Sequence, residues 1–262
     1  MKFGAFFLLQ SPNMDSIKTV YENAFEQMKL AEDLGFDSIW LAEHHFSNYG
    51  FCPNPLPLAI KVAQITKTVR IGTAVLVLPL WHPIRLAEDI AMTDLLTEGR
   101  LELGIGRGYQ VHEFDAFGTD MVKSRYNYEE FVEILMKSFN KESFSYKGDI
   151  YNFPELATYP KVIQKPHPPI WVAAQSDESI KNAGSHGFNL FTSGAGRSYE
   201  LLAKVGKIFR QAANNSGKDS TKMDFSVQNQ IYVTKNESDA SEAAEYHRWQ
   251  YRMANHLRNG TL

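Results

Sequence analysis

The chain has 262 residues, 44% of them hydrophobic and 13% aromatic, which is enough for one α/β domain with a sizeable core. Its net charge of −3 and lack of a basic stripe argue against a nucleic-acid partner. A single cysteine, Cys52, excludes a disulfide framework and a thiolate metal cluster. No apolar run reaches the roughly 18 residues needed to span a bilayer. The apolar start is too short for a signal peptide and lacks a small-residue cleavage site, so a cytoplasmic protein is expected.

Strand and helix patterns alternate along the chain. Residues 2–9 read as a strand, and 16–34 as a helix with Val20, Ala24, Met28 and Ala31 at helical spacing. A strand over 37–42 precedes a helix over 55–68, which opens at prolines. The β-branched run 70–78 is a third strand, and the helix over 84–96 starts just after Pro83. Residues 101–106 form the fourth strand and 124–140 its helix, with Tyr109, Gln110, His112 and Glu113 in the loop between. Residues 143–169, rich in proline and aromatics, read as an excursion. Strands over 169–174, 188–192 and 224–233 then alternate with helices from Asp177, from Tyr199 and over 238–256.

Near-continuous apolar strands, each followed by a helix, imply a parallel sheet covered by helices. Seven such units favour a (β/α)8 TIM barrel over a doubly wound sheet, because the first turn, from Gln10 to Asn13, has no glycine fingerprint. The expected organisation is therefore a single domain over 1–262. Its eighth βα unit is apparently missing, since the chain stops just after the seventh helix.

The strand ends carry the chemistry. The run from Arg100 to Gly108 is a strand opening into a turn where Gly104, Gly106 and Gly108 surround Arg107. A guanidinium fixed there offers a forked, permanently charged donor suited to phosphate. Ser176, after Gln175, stands where a helix N-cap hydroxyl would stand, and capping alone accounts for it. With Ser179, the free N–H groups of that helix and Arg107, it would also close an anion pocket. At the second strand end, His44 and His45 follow Glu43 and cannot both face the interior. One of them is a candidate general acid/base. Two packing or interface histidines are the commoner outcome for an arbitrary pair. No third ligand at a matching strand end points to a metal.

The chain resembles the luciferase-like flavin monooxygenases, in particular their α-subunit branch, over almost its whole length. The resemblance rests on Lys2 to Gly4, Gly35 to Asp37, Ile39 to Leu41, Glu43 to Phe46, His82 with Pro83, Ala87 to Asp89, Gly104 with Ile105, Arg107 with Gly108, and Phe117 to Met121. It implies a TIM barrel in which reduced FMN reacts with O2 to form a flavin hydroperoxide, with His44 as the acid/base group. Arg107, Ser176 and Ser179 match the flavin phosphate site, with Arg125 a further member. Ala74-Val75 falls where the family has a non-prolyl cis peptide beneath the flavin. Gly106 and Gln175 belong to the same cofactor-binding set. Trp249 on the last helix joins it, although an aromatic there is more often core. Gly106, Ala42, Ala173 and Gly194 stand where luciferase carries cysteine, leucine, valine and tryptophan. Each change shrinks a side chain, so a pocket wider than one for a linear aldehyde is expected.

The reading that follows is a two-component monooxygenase acting on a small or medium-sized apolar organic substrate. Reduced FMN would come from a separate flavin reductase, since no dinucleotide fingerprint is present. An F420-dependent hydride-transfer enzyme on the same barrel is the alternative, and a non-catalytic flavin-binding subunit another. Retention of both His44 and Arg107 favours the catalytic type. The resemblance also favours a homodimer through the second and third helices, whose Ala59, Ile60, Ala63, Ala87, Ile90 and Ala91 suit close helix contact.

Overall fold

Each apolar run becomes a short strand, and the helix after it returns the chain to the start of the next. The computed structural model describes residues 1–260; Thr261 and Leu262, the end of the expected domain, lie outside the described residues. In chain order the elements are β1 (Gly4–Phe7), α1 (Ile17–Asp33), β2 (Ser38–Leu41), α2 (Pro55–Ile65), β3 (Arg70–Thr73), β4 (Leu76–Val77), α3 (Pro83–Leu96), β5 (Leu101–Gly106), α4 (Val111–Phe117) and α5 (Ser124–Asn140). A hairpin of β6 (Phe144–Lys147) and β7 (Asn152–Leu156) leads to β8 (Ile170–Ala173), α6 (Asp177–His186), β9 (Asn189–Ser193), α7 (Tyr199–Asn215), β10 (Phe225–Gln228) and α8 (Glu237–Arg258). Strands β1, β2, β3, β5, β8, β9 and β10 are neighbours in that order, and β4 pairs with β5. All these pairings are parallel.

This is a TIM-barrel-type sheet that is open between its two edge strands. Among the described residues β1 and β10 do not pair. Lys2 and Asp224, next to those strands, form an exposed ion pair at 3.1 Å. One core cluster lies between the sheet and α3, α5, α6 and α7, and a second between the sheet and α1 and α2. Helix α1 buries Ala24, Met28 and Ala31, as its spacing predicts. Helices α2 and α3 both start with proline, which lacks the N–H that an N-terminal turn leaves unpaired. Inside the sheet, Trp40, Trp171 and Phe191 pack with ring centroids 4.6 to 5.2 Å apart. The Trp40 indole fits because Gly72 has no Cβ; one built there would lie 2.0 Å from the ring.

Four features differ from the sequence reading. The strand expected over 70–78 breaks into β3 and β4 at a cis Ala74–Val75 peptide. The loop after β5 contains α4, too short for a helical period to stand out in the sequence. The excursion is not structureless: β6 and β7 pair antiparallel, and Glu130 ties the turn between them through the N–H groups of Asp149, Ile150 and Tyr151. The strand expected over 224–233 stops at Gln228, leaving Ile231, Tyr232 and Val233 exposed; β-branched composition alone does not supply a neighbouring strand.

The residues chosen for a dimer face are used within the chain. Of the six, Ala59, Ala63, Ala87, Ile90 and Ala91 are buried, against the sheet and between α2, α3 and α5, and Ile60 is half-buried. What α3 leaves exposed is Met92, Leu95 and Leu96.

A carboxylate fixes the entry to β3. Glu32, at the end of α1, accepts the backbone N–H groups of Lys67, Thr68 and Val69 and the Thr68 hydroxyl. Burial acts to raise its pKa, but these bonds outweigh it and hold the group at about 2. That lies below the unfolded carboxylate value of about 4.3, so the stabilisation is complete above that pH and fades as pH falls toward 2. Glu32→Gln should lower the urea midpoint at pH 7, and the gap to the parent should narrow as the pH is taken toward 3. Equal midpoints at pH 7 would show that the clamp contributes nothing.

Candidate active site

The C-terminal ends of the strands open into a trench of about 2600 Å³ that continues down the gap between β1 and β10. His44, Ala74, Val75, Gly106, Arg107, Tyr109, Gln175, Ser176 and Ser179 all line it. Helix α8 lies over this end, packing Met253, Ala254 and Leu257 against Leu8, Ala42 and Tyr49. Its Gln250, Tyr251, Ala254, Asn255 and Arg258 complete the wall. The trench thus has strand ends below it and a helix above it.

His44 and His45 separate as strand geometry requires. The buried His44 faces the trench and donates from Nδ1 to Glu113 Oε1 at 3.1 Å. Glu113 is 1% exposed and also accepts the backbone N–H of His45 at 2.9 Å. Since a carboxylate only accepts, the pairing puts the His44 proton on Nδ1 and leaves the Nε2 lone pair free. The ring is packed edge-on against Tyr49 and Tyr109, with centroids 4.8 and 6.0 Å away.

His45 points away from the trench and donates from Nε2 to Glu43 Oε1 at 3.1 Å. Glu43 also accepts the Val77 N–H and the Trp81 indole N–H, each at 3.0 Å. Burial pushes its carboxyl up, against the hydrogen bonds from His45, Val77 and Trp81. Burial and the charge of Glu43 raise the Cys52 thiol to about 12, which removes it as a nucleophile near neutral pH. Among the described residues no group of three or more His, Cys, Asp or Glu is placed to hold a metal.

A second set of residues has the chemistry of an anion site. Ser176 caps α6: its Oγ accepts the Ser179 N–H at 3.2 Å and donates to Ser179 Oγ at 2.9 Å. Arg107 is exposed on the same trench and has no ion pair among the described residues. Helix N–H groups, two hydroxyls and a free guanidinium fit a phosphate group. Arg125 instead pairs with Glu178, on the outer side of the first turn of α6, and does not line the trench. Trp249 is also off the wall; its neighbours Gln250 and Tyr251 face the trench while it is half-buried elsewhere on α8.

The four small residues do not simply widen the pocket. A Cβ on Gly106 would lie 2.5 Å from Val75 Cγ2, and one on Gly194 would lie 2.1 Å from Asn229 Oδ1. Ala42 is buried under α8 and does not reach the trench. Of the four, Ala173 and Gly106 line the cavity, and the space at Gly106 is already taken by Val75. Sequence reasoning also missed Glu113, Tyr49, Gln250 and Arg258. The apolar pair Val111 and Phe114, one helical turn apart, was the available signal that Glu113 sits on a helix.

Comparison with known proteins gives consistent relatives. The profile of a family described as luciferase-like monooxygenase matches residues 1–261. The oxygenase component of the flavin-dependent trigonelline monooxygenase of Acinetobacter baylyi is 32% identical over 247 residues, which is 93% of this chain and 68% of that protein. The alkanal monooxygenase alpha chain of Photorhabdus luminescens is 29% identical over 245 residues, 94% of this chain and 67% of that one. Among solved structures, the monooxygenase RslO1 from Streptomyces bottropensis superposes with a TM-score of 0.92 at 28% identity, covering 99% of this chain and 80% of that chain.

The contact between Gly106 and Val75 is open to a direct test. Gly106→Ala should destabilise the protein by about 1–3 kcal/mol, the usual cost of overpacking. Val75→Ala in the same chain should recover most of that loss in a double-mutant cycle read by chemical denaturation. Strict additivity of the two substitutions would show that the side chains do not compete for one space.

Proposed function

The chain belongs to the luciferase-like monooxygenase family, and from that premise we propose that it is the oxygenase component of a two-component system, using reduced FMN and O2 to oxidise a small or medium-sized organic substrate. One observation carries this reading. A single trench is lined by Arg107, which has no ion pair among the described residues, by the serines that open α6, and by a histidine oriented by a buried carboxylate. Reduced FMN, when bound, supplies two electrons, and O2 gives one atom to the substrate and the other to water.

The chain's own residues divide the work. Arg107, the first N–H groups of α6 and the hydroxyls of Ser176 and Ser179 would hold the phosphate. Gln175, Ala74, Val75 and Gly106 would line the ring system, with Val75 filling the space beside Gly106. Arg125 would act at one remove, anchoring α6 through Glu178. His44 would take up or return a proton at Nε2, while Glu113 fixes its tautomer. Helix α8 would limit access of water to this end of the trench. Electrons would be delivered by a separate reductase, in keeping with the absence of a glycine fingerprint after β1. The exposed Met92, Leu95 and Leu96 would pair two copies of the chain, which light scattering at micromolar concentration would register as a doubled mass; a monomer mass would refute the pairing.

Arg107 and His44 should fail in different ways. Arg107→Ala should weaken FMN binding by about one to two orders of magnitude, the equivalent of one charge-assisted hydrogen bond of roughly 1.5–3 kcal/mol. Riboflavin, which has no phosphate, should bind parent and variant alike. His44→Ala should keep FMN affinity and slow substrate-dependent O2 uptake by roughly 10²–10⁴. Reduced FMN that reoxidises identically with and without the protein, or F420 that binds more tightly than FMN, would overturn the proposal.

A further inference from the structure

Arg258, on the last turn of α8, also lines the trench, at the His44 side of the site, and has no ion pair among the described residues. Its guanidinium carbon lies 5.2 Å from the Tyr109 ring centroid, and that same ring contacts His44 at 6.0 Å. One aromatic ring therefore separates the cation from the candidate acid/base. The hydroxyls of Tyr109 and Tyr49 lie 3.4 Å apart. Tyr49 is further bonded by Gln250, whose carbonyl oxygen accepts from Gln230. Burial and the nearness of Tyr109 push the Tyr49 hydroxyl up, so it remains a neutral hydrogen-bonding group at neutral pH.

No carboxylate among the described residues pairs with Arg258. The carboxylates on the neighbouring loops hold other partners: Glu113 holds His44 and His45, Glu43 holds His45, Val77 and Trp81, and Asp15 holds Ser11. A planar cation resting on a tyrosine face has little freedom to lose on binding, and its forked N–H groups match two carboxylate oxygens.

We propose that Arg258 is a specificity-determining residue and that it selects substrates carrying a carboxylate. The substrate is small enough to set that carboxylate on Arg258 while its reacting carbon reaches His44 across one ring. The inference rests on the oxygenase reading for the meaning of "substrate" and narrows its organic substrate to an anionic one, against the apolar one expected from the sequence. It leaves the phosphate to Arg107.

Benzoate and benzamide, equal in shape and different in charge, are the probes. Their affinities are measured by calorimetry on the parent chain, on Arg258→Gln and on Arg258→Lys, each with and without FMN. Benzoate should bind the parent at least about tenfold more tightly than benzamide, as a charge-assisted contact on a partly solvated guanidinium gives. Arg258→Gln should bring that ratio close to one, and Arg258→Lys should restore it in part. FMN affinity should be the same in all three proteins. Equal binding of the two probes by the parent, no benzoate binding at all, or a preference that survives Arg258→Gln would each overturn the proposal. Failure of FMN to bind would instead sink the flavin reading, and the benzoate ratio without FMN would still report on Arg258.

Discussion

One buried carboxylate organises the catalytic end of the molecule. Glu43 sits where β2 ends and joins three parts of the chain that no ladder hydrogen bond connects. It receives the N–H of Val77 and the indole of Trp81, which holds the segment between β3 and α3 in the shape that presents Ala74 and Val75 to the trench. It also receives His45, whose backbone N–H is bound by Glu113, the partner of His44. A charge this deep tolerates no missing donor, because an unpaired buried carboxylate is costly. The same requirement that satisfies Glu43 therefore couples the placement of the segment before α3 to that of His45 and, through Glu113, of His44.

Much of the scaffold was legible because parallel strands are buried on both faces and read as continuous apolar runs. The limits of β5 and α5 follow directly from the sequence, and α3 is displaced by one residue at its start. Arg107, Ser176 and Ser179 could be placed at one end of the sheet from topology alone, since parallel strand ends converge on one side, and all three line the trench. The His44–Glu113 pair could not. Its members are 69 positions apart, and the helix carrying Glu113 is only 7 residues long. The small residues were legible as small but not for their reason. Whether a missing Cβ makes a void or admits a neighbour depends on the neighbour, and Val75 and Asn229 occupy the space at Gly106 and Gly194.

The trench carries opposite kinds of control at its two sides. Ser176 and Ser179 present a backbone N–H and short hydroxyls on the rigid start of α6. Around Arg258 the groups are Tyr49 and Tyr109 on two loops and Gln250 on the helix laid over the barrel. The first set sits on one element end, and the second draws on two loops and a helix.

The state of Cys52 has a bearing on durability. Sulfur is the element of a protein most vulnerable to oxidation. Attack on cysteine begins from the thiolate, and with its pKa at about 12 only about one Cys52 in 10⁵ is ionised at pH 7. The carboxylate that aligns the histidines is among the groups that hold this proton in place. Glu43 thus confers chemical endurance as well as geometry, helping to keep the chain's sole thiol in its less reactive form.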